Sequence, residues 1–227
     1  MPIINCIQRS TEWYAARCGK VTASRVCDVL ARTKTGEGAP RKNYRAELVA
    51  ETMTGKPADQ RYKGKELEWR SETEQFARAA YELICDATVD TVGFVVHDSV
   101  ERFGASPDGL IGLDGLLEVK VPATATHISY ILGSIVPEEY QPQMLAQMAC
   151  TGRQFCDFVS FDPRLPKEHQ LFVRRFERDE KKIACMEQQV RFFLAEVDEI
   201  IRNLRESICI PLEYLGVSAP LATTSSD

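Results

Sequence analysis

Apolar residues recur at helical spacing from Glu12 to Cys18, from Ser24 to Ala31 and from Tyr44 to Met53, the last run ended by Gly55 and Pro57. Glu66 to Ile84, rich in Glu, Ala, Arg and Leu, predicts one long helix. The texture then changes. Thr91 to His97 is β-branched and aromatic, Arg102 to Ser106 follows it, and a turn from Gly109 to Gly115 leads into a strand over Leu116 to Val121. His127 to Leu132 and Glu139 to Cys150 read as helices, and Phe155 to Phe161 and Leu171 to Phe176 as strands. Asp179 to Arg205 is amphipathic, with Ile183, Met186, Val190, Phe193, Leu194, Val197, Ile200, Ile201 and Leu204 on one stripe. That stripe predicts a helix packed on the sheet or on a subunit neighbour. Strands and helices in separate blocks predict an α+β fold, a central mixed β-sheet flanked by helices.

The 227 residues suffice to bury a core, and 44% apolar content with nearly balanced charge excludes disorder as the main state. No apolar run approaches the roughly 20 residues that span a bilayer. The N-terminal MPIINCIQRS lacks the basic and apolar regions of a secretory signal, so a cytoplasmic protein is expected. Eight cysteines are present without a CxxC pair, which predicts reduced, mostly buried thiols rather than a metal or disulfide framework. Thr33 to Arg41 and Arg61 to Lys65 read as basic loops, and the tail from 207 to 227 as partly disordered, most clearly from Ala219 to Asp227.

The net charge of −5 argues against a polyanionic partner only until it is divided along the chain. Residues 1–65 carry 13 Lys and Arg against 6 Asp and Glu, a net +7, whereas residues 66–227 carry 15 against 27, a net −12. A basic third on an acidic remainder is compatible with a polyanion-facing surface, and equally with an ordinary solvated one.

The stretch from Ser106 to Pro122, SPDGLIGLDGLLEVKVP, carries the candidate chemistry. On a strand, Glu118 and Lys120 project to one face and Val119 to the other, and Asp108 lies across a glycine-rich turn from them. Two carboxylates and a backbone carbonyl suit Mg²⁺ with its retained waters, and a neighbouring lysine suits attack on phosphorus. Leu116, Leu117, Val119 and Val121 surround the charged pair with apolar residues, where unpaired charge is costly. A surface ion pair on an exposed strand face is the plain alternative.

Pro107-Asp108, then Glu118-x-Lys120, resembles the PD-(D/E)xK nuclease motif. With Trp13 to Arg17 (WYAAR), Val21 to Ser24 (VTAS), a helix bearing Trp69 and Glu74, Ser106 to Gly109 (SPDG) and Tyr140 to Gln143 (YQPQ), the chain resembles the lambda exonuclease or YqaJ-type viral alkaline exonuclease family from about Trp13 to Glu177. The resemblance implies a single nuclease domain over residues 1–206 with a restriction-endonuclease-like core: a helical region over residues 1–85 and a sheet-containing catalytic region over residues 86–206. It implies Asp108, Glu118 and the Val119 carbonyl as metal ligands, Lys120 as the catalytic lysine and Gln143 as a group orienting the attacking water. The resemblance also implies that Glu74 acts through metal-bound water and that two Mg²⁺ ions bind, replaceable by Mn²⁺. Arg17, Thr22 or Ser24, and Ser106 would form the pocket for a 5′-terminal phosphate. Ordinary helix capping by Ser24 is the plain alternative.

More loosely, Leu67 would be a wedge that splits the end base pair, or plain core, and Lys34 and Lys65 would touch the DNA backbone. One departure stands out. An arginine of the best-known member that grips the 5′-phosphate aligns with Thr126, and His127 or Lys20 are the candidate replacements. The resemblance further implies a ring-shaped homotrimer around double-stranded DNA, with the basic third on its channel, and a phage single-strand annealing protein as partner in the host cytoplasm. The expected activity is processive 5′→3′ digestion of duplex ends to 5′-mononucleotides, leaving 3′ overhangs. A restriction- or repair-type endonuclease and a catalytically silent end-binding protein are the alternatives.

Overall fold

The computed structural model describes residues 2–34, 36–58 and 65–207, without the side chains of 65–68, 70 and 71. Its elements run β1 (Ile3–Ile4), α1 (Thr11–Arg17), β2 (Val21–Thr22), α2 (Val26–Leu30), β3 (Arg32–Thr33), β4 (Gly36–Glu37), α3 (Ala39–Thr54) and α4 (Lys65–Cys85). There follow β5 (Val89–Asp90), β6 (Phe94–Val96), β7 (Phe103–Ala105), β8 (Gly109–Ile111), β9 (Gly115–Lys120) and α5 (Thr124–Gly133). The chain continues through α6 (Gln141–Thr151), β10 (Phe155–Phe161), β11 (Leu171–Glu177) and α7 (Glu180–Glu206). The central mixed sheet has the order β11-β10-β9-β8-β5, parallel only between β9 and β10. A smaller sheet, β1-β6-β7-β2, carries the turn before Asp108, and β3 and β4 form a hairpin.

Both faces of the central sheet are covered, so its strands alternate between two cores. Leu116 and Phe158 belong to the larger core with Met144 of α6 and Met186, Val190 and Phe193 of α7. Leu117, Val119 and Val159 pack instead with Ala77 and Tyr81 of α4. Burial of about 25 cal/mol per Å² of apolar surface drives this packing on each face. The period-2 rule then forces Glu118, between Leu117 and Val119, onto the α6 side. The stripe predicted over 179–205 faces the core as α7 from Ile183 to Ile201, with Ile200 partly buried, whereas Leu204 near the helix end is exposed. Asp179 caps the helix, its side chain accepting from Lys182 N.

Three expectations are corrected. The turn over 109–115 contains strand β8: Gly109 and Gly115 are glycines because a Cβ there would lie 2.1 Å from Val89 Cγ1 and 2.3 Å from Phe155 Cζ, so crowding rather than turn geometry selects them. The basic loop over 33–41 is a hairpin followed by the first turn of α3, where Pro40 is tolerated because that turn needs no N–H donor. The thiols are free but not mostly buried: Cys150 and Cys156 are buried, Cys6 and Cys18 are partly so, and Cys27, Cys85 and Cys185 are exposed. Cys209 and the tail residues 208–227 lie outside the described residues. Some of the N-terminal positive charge is answered internally, since Arg41 and Arg45 pair with Glu37 and Glu196 and pin α3 to α7. Among the described residues no helix is long and apolar enough to cross a membrane.

Candidate active site

Hairpin β8–β9 brings Asp108 and Glu118 together. Asp108 N donates to Leu117 O at 3.1 Å, and Val119 N donates back to Asp108 Oδ2 at 2.7 Å. The β8 pairing reaches only Leu117, so Val119 presents its N–H, and on the same edge its carbonyl, beyond the last rung. On the other face of β9, Glu118 is 1% exposed. Its Oε1 accepts from Lys120 Nζ and, at 2.6 Å, from Gln143 Nε2, and its Oε2 accepts from Gln147 Nε2 at 2.5 Å. Lys120 Nζ also reaches Gln143 Oε1 at 3.5 Å and lies 4.9 Å from the centre of the Tyr140 ring. The Glu118–Lys120 pair is therefore largely buried, not a surface ion pair.

Burial, and then the negative charge of Glu118, hold the Asp108 carboxyl well above the usual carboxylate range. Burial pulls the Lys120 ammonium down, but the charges of Glu118 and Asp108 outweigh it and raise the net value, so the group is cationic at neutral pH. Two crowded carboxylates beside a strand-edge carbonyl fit a hard divalent cation. Among the described residues no group of three His, Cys, Asp or Glu side chains is placed to hold a metal ion. Glu74 does not join them directly. It lines a cavity of about 560 Å³ with Asp108, and its Oε2 pairs with Arg9 Nη2 at 2.7 Å.

A second cavity, of about 210 Å³, is lined by Arg9, Trp13, Arg17, Lys20, Thr22 and Ser24 among others. The Arg17 guanidinium stacks 4.0 Å from the centre of the Trp13 ring, and its Nη2 lies 3.5 Å from Thr22 Oγ1. Trp13 Nε1 donates to Ser106 Oγ at 2.8 Å, which ties this cavity to the turn bearing Asp108. Neither Thr22 nor Ser24 caps a helix: Ala23–Arg25 is a single 3₁₀ turn with no side-chain cap, and the two hydroxyls lie 3.4 Å apart. Lys20 lines the cavity, whereas His127 is fully buried, its Nδ1 against Ser160 Oγ at 2.7 Å and its Nε2 against His169 O at 2.9 Å. His127 is thus a core residue and does not replace the missing arginine. Thr126 is half-buried on α5.

Lys34 is exposed on the β3–β4 turn and lines neither cavity. Lys65 and Leu67 fall on α4, with side chains outside the described residues. Gln147 and Arg9 were not anticipated. Gln147 stands four residues after Gln143, a helical spacing that places both amides on one face of α6. Arg9 had no sequence signal, because its partner Glu74 is 65 residues away.

The YqaJ-like viral recombinase domain matches residues 12–154. Among solved structures, the alkaline exonuclease LHK-Exo from Laribacter hongkongensis is 47% identical, with a TM-score of 0.79 over 86% of this chain and 96% of that one. The structure of LHK-Exo in complex with dAMP matches with the same identity and coverage and a TM-score of 0.80. A phage-related exonuclease from Haemophilus somnus 129PT shares the fold at 13% identity and a TM-score of 0.61, over 82% of this chain and 96% of that one. No curated protein matches significantly.

Proposed function

This chain belongs to the YqaJ-like viral recombinase domain family, and from that premise we propose that it is a Mg²⁺-dependent, processive 5′→3′ exonuclease acting on double-stranded DNA ends. It releases 5′-mononucleotides and leaves 3′ overhangs for a phage single-strand annealing protein, working as a homotrimeric ring in the cytoplasm of the bacterial host. The observation that carries this reading is the joining of Asp108, the Val119 edge, Glu118, Lys120 and Gln143 in one partly buried cluster. The likeness to LHK-Exo, an alkaline exonuclease, supports the reaction class.

In this reading Asp108, Glu118 and the Val119 carbonyl hold the cations, and Glu74 takes part through water. Bound Mg²⁺ supplies Lewis acidity and a water nucleophile at neutral pH. Gln143 and Gln147 donate to Glu118 and keep both its oxygens oriented. Lys120, held as an ammonium, donates hydrogen bonds to the phosphoryl oxygens and stabilises the charge that develops on them. The Gln143 amide, within reach of both Glu118 and Lys120, orients the attacking water. Arg17, with Thr22, Ser24 and Lys20 around it and Ser106 tied in through Trp13, receives the 5′-terminal phosphate and so admits only the first linkage to the cluster. Lys34 and Lys65 contact the backbone, and Leu67 separates the terminal base pair.

The test is digestion of linear duplex with Mg²⁺, Mn²⁺ or EDTA, comparing 5′-phosphate with 5′-hydroxyl ends and the wild type with Asp108→Ala and Lys120→Ala. Loss of cleavage in both variants and in EDTA is expected. Cleavage of closed circular DNA points instead to an endonuclease, and end binding without any degradation to a silent binding protein.

A further inference from the structure

The cavity that Asp108 and Glu74 share contains a second cationic group that the mechanism above leaves unused. Arg78 follows Glu74 by one turn of α4 and lines the same 560 Å³ space, together with Gln8, Arg9 and Val92. Its Nε is the one buried side-chain nitrogen or oxygen without a hydrogen-bond partner among the described residues. Arg9, on the same cavity, is answered by Glu74, and elsewhere Arg25 is answered by Asp28 and Glu47 and Arg175 by Asp157. A buried guanidinium donor left unpaired costs free energy, and the protein has fixed its helix firmly. Tyr81, one turn further on, donates to Asp157 at 2.7 Å, and Ala77 and Tyr81 are buried against the sheet. The wall opposite is equally fixed, because Gln8 Nε2 donates to Val92 O at 3.0 Å and to Pro107 O at 2.8 Å.

The Arg78 side chain lines a space whose other wall carries a candidate metal ligand, Asp108. A forked cation beside such a site is matched by a phosphate oxygen. The first cavity, joined to Ser106 through Trp13, lies on one side of the Ser106–Asp108 turn, and this one opens at Asp108 itself. Resting on the exonuclease reading above, we infer that Arg78 forms a second phosphate subsite. It receives a non-bridging oxygen of the phosphodiester immediately 3′ of the scissile one, on the strand being degraded. The end is then gripped on both sides of the bond to be cut.

Binding of a short 5′-phosphorylated duplex in Ca²⁺ tests this, with uncharged methylphosphonate placed singly at the first, second or third linkage. Wild type should lose about tenfold in affinity from the substitution at the second linkage. Arg78→Gln should bind the unmodified duplex about tenfold more weakly and lose nothing further at that linkage. Its log K against log salt slope should shrink by about 0.9, and Arg78→Lys should keep the slope. Circular dichroism melting separates this from misfolding, which cannot produce coupling at a single linkage. Equal losses at every linkage, an unchanged salt slope, or coupling at the scissile linkage alone overturns the subsite. Failure of the wild type to bind the unmodified duplex end overturns the exonuclease reading, and the subsite with it.

Discussion

Gln147 reaches Glu118 from inside helix α6, its Nε2 donating to Oε2 at 2.5 Å while its own Oε1 accepts from Cys156 Sγ at 3.8 Å. Both Gln147 and Glu118 are almost wholly removed from water, at 0% and 1% exposure. Gln143 and Lys120 hold the other carboxylate oxygen, so Gln147 alone restrains this one among the described residues.

Gln147→Leu is therefore expected to leave a buried carboxylate oxygen without a donor. The cost is about 1–3 kcal/mol of stability, and metal affinity or activity should fall about 10–100-fold. Melting and Mn²⁺ titration calorimetry check both. Unchanged metal affinity would remove Gln147 from the site.

Asp108 makes stability depend on pH and on cations. Its carboxyl titrates above its unfolded value because of burial and the Glu118 charge. The unfolded chain therefore releases this proton first, and stability falls as pH rises from the ordinary carboxylate range through the raised value, by at most about 1.4 kcal/mol per unit. In cation-free buffer Asp108→Asn should flatten that slope and melt higher than wild type at pH 8. Mg²⁺ should raise the melting temperature of the wild type but not of the variant.

Trp13 links two sides of the 210 Å³ cavity proposed to receive the 5′ end, through Ser106 at 2.8 Å and the stacked Arg17 at 4.0 Å. Trp13→Phe keeps the ring and removes the donor. The expected result is a smaller preference for 5′-phosphate over 5′-hydroxyl ends, by about fivefold to tenfold, which corresponds to one hydrogen bond. Digestion rates on the two ends measure it, and an unaltered ratio refutes the link.

Tyr81 OH donates to Asp157 Oδ2 at 2.7 Å, and Arg175 binds the same carboxylate through two nitrogens at 2.8 and 2.9 Å. Tyr81→Phe should cost about 1 kcal/mol in denaturant unfolding, because Arg175 still satisfies Asp157. Asp157→Ala should cost more, since it unpairs Tyr81 and Arg175 together.

Gly109 leaves no space for a methyl group, whose carbon would lie 2.1 Å from Val89 Cγ1. Gly109→Ala must displace the Val89 side chain, which loads the β5–β8 pairing beside Asp108. A stability loss of about 1–3 kcal/mol is expected, with nuclease activity reduced in the folded fraction as well. A variant of native melting temperature would show that the hairpin has slack.

Local patterns were legible wherever a residue's role follows from its near neighbours. The stripe of α7 and the i, i+2 pairing of Glu118 with Lys120 depend only on period, and both stand in the structure. The smaller errors came from glycine and proline. Gly109 and Gly115 answer crowding from Val89 and Phe155, which are distant in sequence, and Pro40 starts a helix instead of a loop. His127 beside Thr126 looked available for a phosphate until β10 and the 169 carbonyl enclosed it.

By itself the sequence determined the mixed α+β architecture, the family, and the short stretch holding Asp108, Glu118 and Lys120, because strand alternation and motif spacing are properties of neighbouring residues. Only the tertiary structure decided that Gln147 secures Glu118, that Arg9 pairs with Glu74, and that Arg78 Nε is left without a hydrogen-bond partner among the described residues. Those relationships join residues up to 65 apart in the chain. They exist because both faces of the central sheet must be buried, which brings α6 down on one side of β9 and α4 on the other.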